Sequence, residues 1–153
     1  MRIFSISPSG VTESATLPTQ APDQGYVWIA CARTEFETLR EEVQATLQAL
    51  TGTTLVDLHI SDLLNKQLPS RFDYTSMYDL LVFRRLSSGD GEPAPAPAPT
   101  GEPPLAPRRR GGPPVLRRID TSPIGFAVFD QVLLTVHPPD LSLIHISEPT
   151  RPY

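Results

Sequence analysis

Residues 26–52 read YVWIACARTEFETLREEVQATLQALTG, and this stretch decides the fold. YVWIACA (residues 26–32) is continuously apolar and rich in aromatic and β-branched side chains, which predicts a central strand. Behind it Phe36, Leu39, Val43, Leu47 and Leu50 recur at three- and four-residue steps, one apolar stripe along a helix. Thr34 stands three residues before Glu37, the spacing of a capping box in which each side chain satisfies the other's free backbone N–H. Gly52 supplies the stop. A buried strand followed directly by an amphipathic helix points to a layered α/β or α+β domain.

Working outward, MRIFSI at the N-terminus is a short apolar run ended by SPSG, an opening strand and its turn. Residues 11–24 are polar, contain Pro18 and Pro22, and read as a loop. On the other side, LVDLHISDLLN (residues 55–65) predicts a second, shorter helix with Leu55, Leu58, Leu63 and Val56 inward. Tyr78 to Phe83 is a strand, and Arg71 to Tyr74 forms another beside it. GFAVF and QVLLTVH flank Asp130 and read as a tight β-hairpin, although Asp-Gln is a weaker turn signal than Asp-Gly. The expected fold is a mixed β-sheet with two helices in the N-terminal half and a C-terminal hairpin.

Between these parts the composition changes. Residues 87–113 hold alternating Ala-Pro, several glycines and Arg108, Arg109 and Arg110, with almost no large apolar side chain. Such a segment cannot bury enough surface to offset its ordering entropy, and its Ala-Pro portion favours extended polyproline II. It is expected to be a disordered insertion between two halves of one domain, residues 1–86 and 114–140. Its arginines, with Arg117 and Arg118, lack interleaved aromatics and read as a solvated loop.

The 153 residues include 18 prolines and one cysteine and carry a net charge of -4. That charge gives no general attraction to nucleic acid, and none is expected as a partner. Cys31 excludes an internal disulfide and, among apolar neighbours, reads as a buried structural thiol. No apolar run approaches the roughly 20 residues of a transmembrane helix, and the N-terminus lacks a signal-peptide core. Catalytic patterns are missing as well. There is no Gly-rich phosphate loop and no Gly-x-Ser-x-Gly elbow. His59, His137 and His145 lie at no metal-ligand spacing and read as packed or surface histidines. The chain is not expected to be an enzyme.

Carboxylates are the more informative group. Asp57 and Asp62 fall on the short helix and Asp73 and Asp79 on the strands after it. Hard cations such as Mg²⁺ take oxygen ligands of this kind, usually one or two carboxylates with retained water, whereas scattered acids are otherwise surface solvation.

Taken together, Tyr26-Val27-Trp28-Ile29, the run Ser61-Asp62-Leu63-Leu64-Asn65, Arg71, Asp73, Tyr78 with its LLVF strand, and Leu133-Leu134-Thr135-Val136-His137 resemble the cytoplasmic N-terminal domain of the CorA-type magnesium transporter family. The family's long helices, its two membrane spans and its Gly-Met-Asn pore signature are not in these residues. The resemblance therefore implies a truncated cytoplasmic regulatory domain of a divalent-cation transporter. The full-length protein would sit in the inner membrane as a homo-pentamer with this domain on the cytoplasmic side, while the fragment alone would be soluble and cytoplasmic. It also implies Mg²⁺ as transported and regulatory ion, with Co²⁺, Ni²⁺ or Zn²⁺ as other cargoes. Asp62, expected on the outward face of its helix, is the one position to which the family's regulatory Mg²⁺ ligand carries over. Val56-Asp57 stands where the family often has His-Pro, and Ser61 replaces a common Glu, so His59 is not the family's histidine. A stand-alone binding or adaptor module is the alternative. Residues 141–151, LSLIHISEPTR, resemble an in-frame translation of a transposase adapter used to prepare sequencing libraries, so residues 141–153 are expected to be a foreign tail.

Deleting residues 87–113 is expected to leave the thermal midpoint of the domain within a few degrees. Loss of a cooperative transition on deletion would show that the segment is structural.

Overall fold

A computed structural model describes residues 1–86 and 120–139. The expected insertion and tail lie outside these residues, as do His145 and the Arg108–Arg118 cluster. Seven strands, β1 (Arg2–Ser7), β2 (Gly10–Ser14), β3 (Tyr26–Ala32), β4 (Arg71–Tyr74), β5 (Asp79–Leu86), β6 (Thr121–Val128) and β7 (Val132–His137), form one sheet in the order β2-β1-β3-β7-β6-β5-β4. Three helices accompany it, α1 (Arg33–Thr38), α2 (Arg40–Thr51) and α3 (Asp57–Leu64). The mixed α+β architecture expected from sequence is present, and no described helix is long and apolar enough to cross a membrane.

YVWIACA is central, as its apolar character demanded. β3 pairs antiparallel with β1 and parallel with β7, Val27 opposite Val132 and Cys31 opposite Val136. Val27, Ile29 and Cys31 alternate onto one face beside Val132, Leu134 and Val136, all nearly inaccessible. Burial pushes the Cys31 thiol up to about 11, so it stays protonated as a small apolar group. The predicted hairpin around Asp130 is β6–β7, closed by the Phe129 N–H donating to the Val132 carbonyl at 2.8 Å.

The helix predicted after β3 is two helices. The chain bends at Leu39, yet the Leu39 N–H still reaches the Glu35 carbonyl and the Val43 N–H the Leu39 carbonyl. The stripe is turned rather than interrupted. Phe36, Val43 and Leu47 are fully buried, with Leu39 and Leu50 packed at their margin. The expected capping box at Thr34 and Glu37 is displaced by two residues. β3 runs straight into α1, so Ala32 is the cap, and only the acid half of a box survives: Glu35 accepts the Ala32 N–H at 3.0 Å. Its other oxygen pairs with the N-terminal ammonium. Gly52 ends α2 in the left-handed region, φ 76°, as its identity suggested.

A second difference is β2, which lies within the stretch read as a loop. Val11, Thr12 and Glu13 are all exposed, so no hydrophobic alternation marks the strand. It is held by the backbone ladder to β1 and by a two-pronged Arg2–Glu13 pair at 2.7 Å on each side. α3 packs close against the sheet because Gly125 on β6 has no side chain. A Cβ there would come within 2.2 Å of Leu63 Cδ2.

All three helices contribute to one core on one face of the sheet. The opposite face is apolar too. Register places Phe4, Trp28, Leu133, Phe126, Leu81, Phe83 and Phe72 along it, with ring pairs Phe4–Trp28 at 5.2 Å and Phe83–Phe126 at 6.1 Å. Phe72 is 60% exposed and Phe83 54%. A sheet built on a parallel central pair is normally covered on both faces; on this second face Ala30 and Thr135 at the centre are buried, while Phe72 and Phe83 toward the β4 edge stand exposed.

Leu134→Ala in the covered core is expected to cost about 2–5 kcal/mol. Phe83→Thr on the open face should leave stability almost unchanged while lowering the binding of a hydrophobic dye. Comparable losses from both substitutions in urea titrations would show that the two faces are not different.

Candidate functional site

The charged and titratable groups that sequence reading scattered over a helix and two strands meet at one junction, where α3 faces β4 and the turn into β5. α3 begins after an extended Val56 and carries Asp57 in its first turn, where the helix dipole favours a negative charge. Leu55 and Leu63 are buried as expected. Val56 and Leu58, expected inward, are 46% and 61% exposed, and His59, Ile60 and Asp62 point in instead. The helix is therefore rotated from the phase its leucines suggest. Polar partners across the junction account for the rotation.

His59 is held on both ring nitrogens. Its Nδ1 lies 2.7 Å from the Tyr78 hydroxyl and its Nε2 3.0 Å from Asp73 Oδ2, while the Val56 N–H donates to the same Tyr78 oxygen at 3.1 Å. An ionised carboxylate can only accept, so Nε2 carries a proton and donates to Asp73. Burial pushes the Tyr78 hydroxyl up, against the Val56 N–H, and the Asp73 charge raises it further. It therefore stays protonated.

Asp73 in turn accepts from Arg71 Nη2 at 3.1 Å and, on its other oxygen, from the Tyr74 N–H at 2.8 Å. Its carboxyl is held below the ordinary carboxylate range, first by the His59 hydrogen bond, then by the Tyr74 N–H, with the His59 and Arg71 charges adding to these against a desolvation cost. The second guanidinium nitrogen of Arg71, Nη1, sits 3.3 Å from Asp62 Oδ2. Asp62 is 8% exposed, so its expected position on the outward face of the helix is corrected: it faces the sheet. Arg71 and Asp73 alternate onto the helix side of β4, and His59 and Asp62 lie three apart on α3, so two short-range spacings bring four charged or titratable groups together. The i, i+3 pair His59–Asp62 and the Arg71-x-Asp73 alternation are the signals that could have shown this cluster in the sequence.

Both imidazole nitrogens have protein partners, and His59 and Tyr78 are 3% and 4% exposed. The arrangement clamps α3 to β4 rather than presenting a reactive atom. Nor do the residues around Asp62 fit Mg²⁺ within this chain. Mg²⁺ demands near-octahedral oxygen coordination and retains water, but Asp62 is buried against a cation and Asp73 is occupied by Arg71 and His59. Among the described residues no three His, Cys, Asp or Glu side chains are placed to hold a metal. The remaining candidates lie apart. Asp57 and Asp79 are exposed, and half-buried His137 places Nδ1 2.9 Å from the Pro138 carbonyl oxygen.

A polar cleft of about 440 Å³ opens on the other side of α3's end, lined by Arg33, Lys66, Arg84, Asp120 and Thr121 among others. Arg84 donates there to the carbonyls of Lys66, Leu68 and Thr121 and to Thr121 Oγ1, and Arg33 to the Pro123 carbonyl. These bonds tie the loop after α3 to the ends of β5 and β6.

No family model and no curated protein matches the sequence. Solved structures share the fold. The cytoplasmic domain of ZntB from Vibrio parahaemolyticus RIMD 2210633 aligns at 14% identity with a TM-score of 0.56, covering 95% of this chain and 47% of that one. The CorA magnesium transporter from Methanocaldococcus jannaschii aligns at 13% identity and a TM-score of 0.55, covering 95% and 35%. The full-length CmaX protein aligns at 14% and 0.53, covering 95% and 37%. At these identities the likeness is one of fold, and the chain spans less than half the length of each of these proteins.

Because the Asp73 carboxyl is lowered in the folded state, it contributes stability that is complete above the unfolded value of about 3.9 and is lost as pH falls through the lower folded value. Asp73→Asn is therefore expected to lower stability at neutral pH and to flatten its decline in acid. Urea midpoints measured from neutral pH down to about pH 2 test this; parallel curves for the two proteins would refute it.

Proposed function

We propose that this chain is the cytoplasmic domain of a CorA/ZntB-type divalent-cation transporter, and that it works as the regulatory part of a longer membrane protein. One observation carries the reading. The fold of transporter cytoplasmic domains aligns over 95% of the chain, while one face of its sheet leaves the large apolar side chains of Phe72 and Phe83 exposed, a surface of the kind a further layer of polypeptide would cover. Mg²⁺ is the proposed cargo, with Co²⁺, Ni²⁺ and Zn²⁺ as alternatives, and a homo-pentamer the proposed assembly. The domain would reach the inner membrane only through polypeptide beyond the described residues. A regulatory role for Asp62 in that assembly would require Arg71 to release it first, since the guanidinium now stands where an ion would approach.

The reading frame after residue 140 in independently sequenced genomic DNA is the test. Two apolar stretches of about 20 residues each in the same frame, together with cation uptake by cells expressing the extended gene, are expected. A stop codon shortly after residue 140 would overturn the transporter reading and leave a stand-alone module.

A further inference from the structure

Asp62 is the least hydrated carboxylate described, its side chain 9% exposed, and Oδ2 has no hydrogen-bond donor. Its ion-pair partner is Arg71, 3.3 Å away and 36% exposed. The same guanidinium holds Asp73 through its other terminal nitrogen at 3.1 Å. Two carboxylates from different elements, α3 and β4, thus converge on a single cation that the chain itself supplies.

We propose that Arg71 is the built-in counter-ion of this acid pair, occupying the seat a divalent cation would need, so that α3 is locked to β4 without metal. The physical case rests on how differently the two kinds of cation are solvated. A guanidinium is planar, permanently charged and weakly hydrated, and it can bridge two carboxylates with little desolvation cost. Mg²⁺ surrenders its water reluctantly and would have to do so beside a carboxylate that water barely reaches. The Asp73 oxygens are already used, since they take the His59, Arg71 and Tyr74 donors. Removing the guanidinium would leave Asp62 buried and unpaired, which is worse than removing both partners. The inference rests on the α3–β4 geometry alone and stands whether or not the chain belongs to a transporter.

Thermal unfolding of the whole chain, as wild type, Arg71→Met, Asp62→Asn and the double variant, tests it in chelator and in millimolar MgCl₂ at matched ionic strength. The wild-type midpoint should be the same in both buffers. Arg71→Met should fall by about 5 °C or more, Arg71→Lys should keep most of the midpoint, and adding Asp62→Asn to Arg71→Met should restore at least half of the loss. If Arg71→Met does not fold, a double variant that does fold carries the same expectation, and failure of both overturns the proposal. So does an Arg71→Met midpoint equal to wild type, or a double variant that falls by the sum of the single losses. A rise of the wild-type midpoint with Mg²⁺ that Asp62→Asn abolishes would overturn it directly, by showing the seat to be a metal site.

Discussion

The parallel pairing of β3 with β7 is the constraint on which the rest of the molecule depends. It joins residues about a hundred positions apart, Val27 to Val132 and Cys31 to Val136. Without it the sheet would be two antiparallel pieces, β2-β1-β3 and β7-β6-β5-β4. Each piece would keep its local hairpins, but neither would have a face wide enough for all three helices. Closing so long a loop costs entropy that grows only slowly with its length. The apolar side chains that meet across the pair, nearly inaccessible on the helix face, offset it.

The junction of α3 with β4 is a consequence of that width. Leu63 settles over Gly125, which sets the helix against β6, and the other side of α3 then looks along the sheet toward its β4 edge. There the helix meets Arg71, Asp73 and Tyr78 rather than apolar residues. A helix whose inward face includes His59 and Asp62 needs polar partners in fixed positions. β4 and the turn into β5 supply them. The junction is thus a polar seam at the rim of an apolar core, and its geometry favours one orientation of α3 over the alternatives its leucines would permit.

Much of this was legible in the sequence and some was not, for definite reasons. YVWIACA, the Phe36–Leu50 stripe and the β6–β7 hairpin were readable because their apolar periodicity is strong and their partners are core atoms of any kind. β2 was not, because an exposed edge strand held by its ladder and by Arg2–Glu13 has no hydrophobic signature. The cap was misplaced because Thr34 and Glu37 match a local pattern, while the helix start is dictated by where β3 ends. The phase of α3 was misread, Leu58 for His59 and an outward Asp62 for an inward one, since local hydrophobicity counts leucines and cannot see Arg71 or Tyr78 approaching from other elements. The expected insertion at residues 87–113 and tail at residues 141–153 lie outside the described residues.

The open face also makes the molecule its own spectroscopic probe. The chain has a single tryptophan, and Trp28 lies on that face, half-buried, its indole N–H bonded to Thr135 Oγ1 at 3.0 Å and its ring 5.2 Å from Phe4. Any layer that settles over the sheet removes the water still touching that ring. The colour of its fluorescence thereby becomes a direct readout, free of any label, of whether the face is covered.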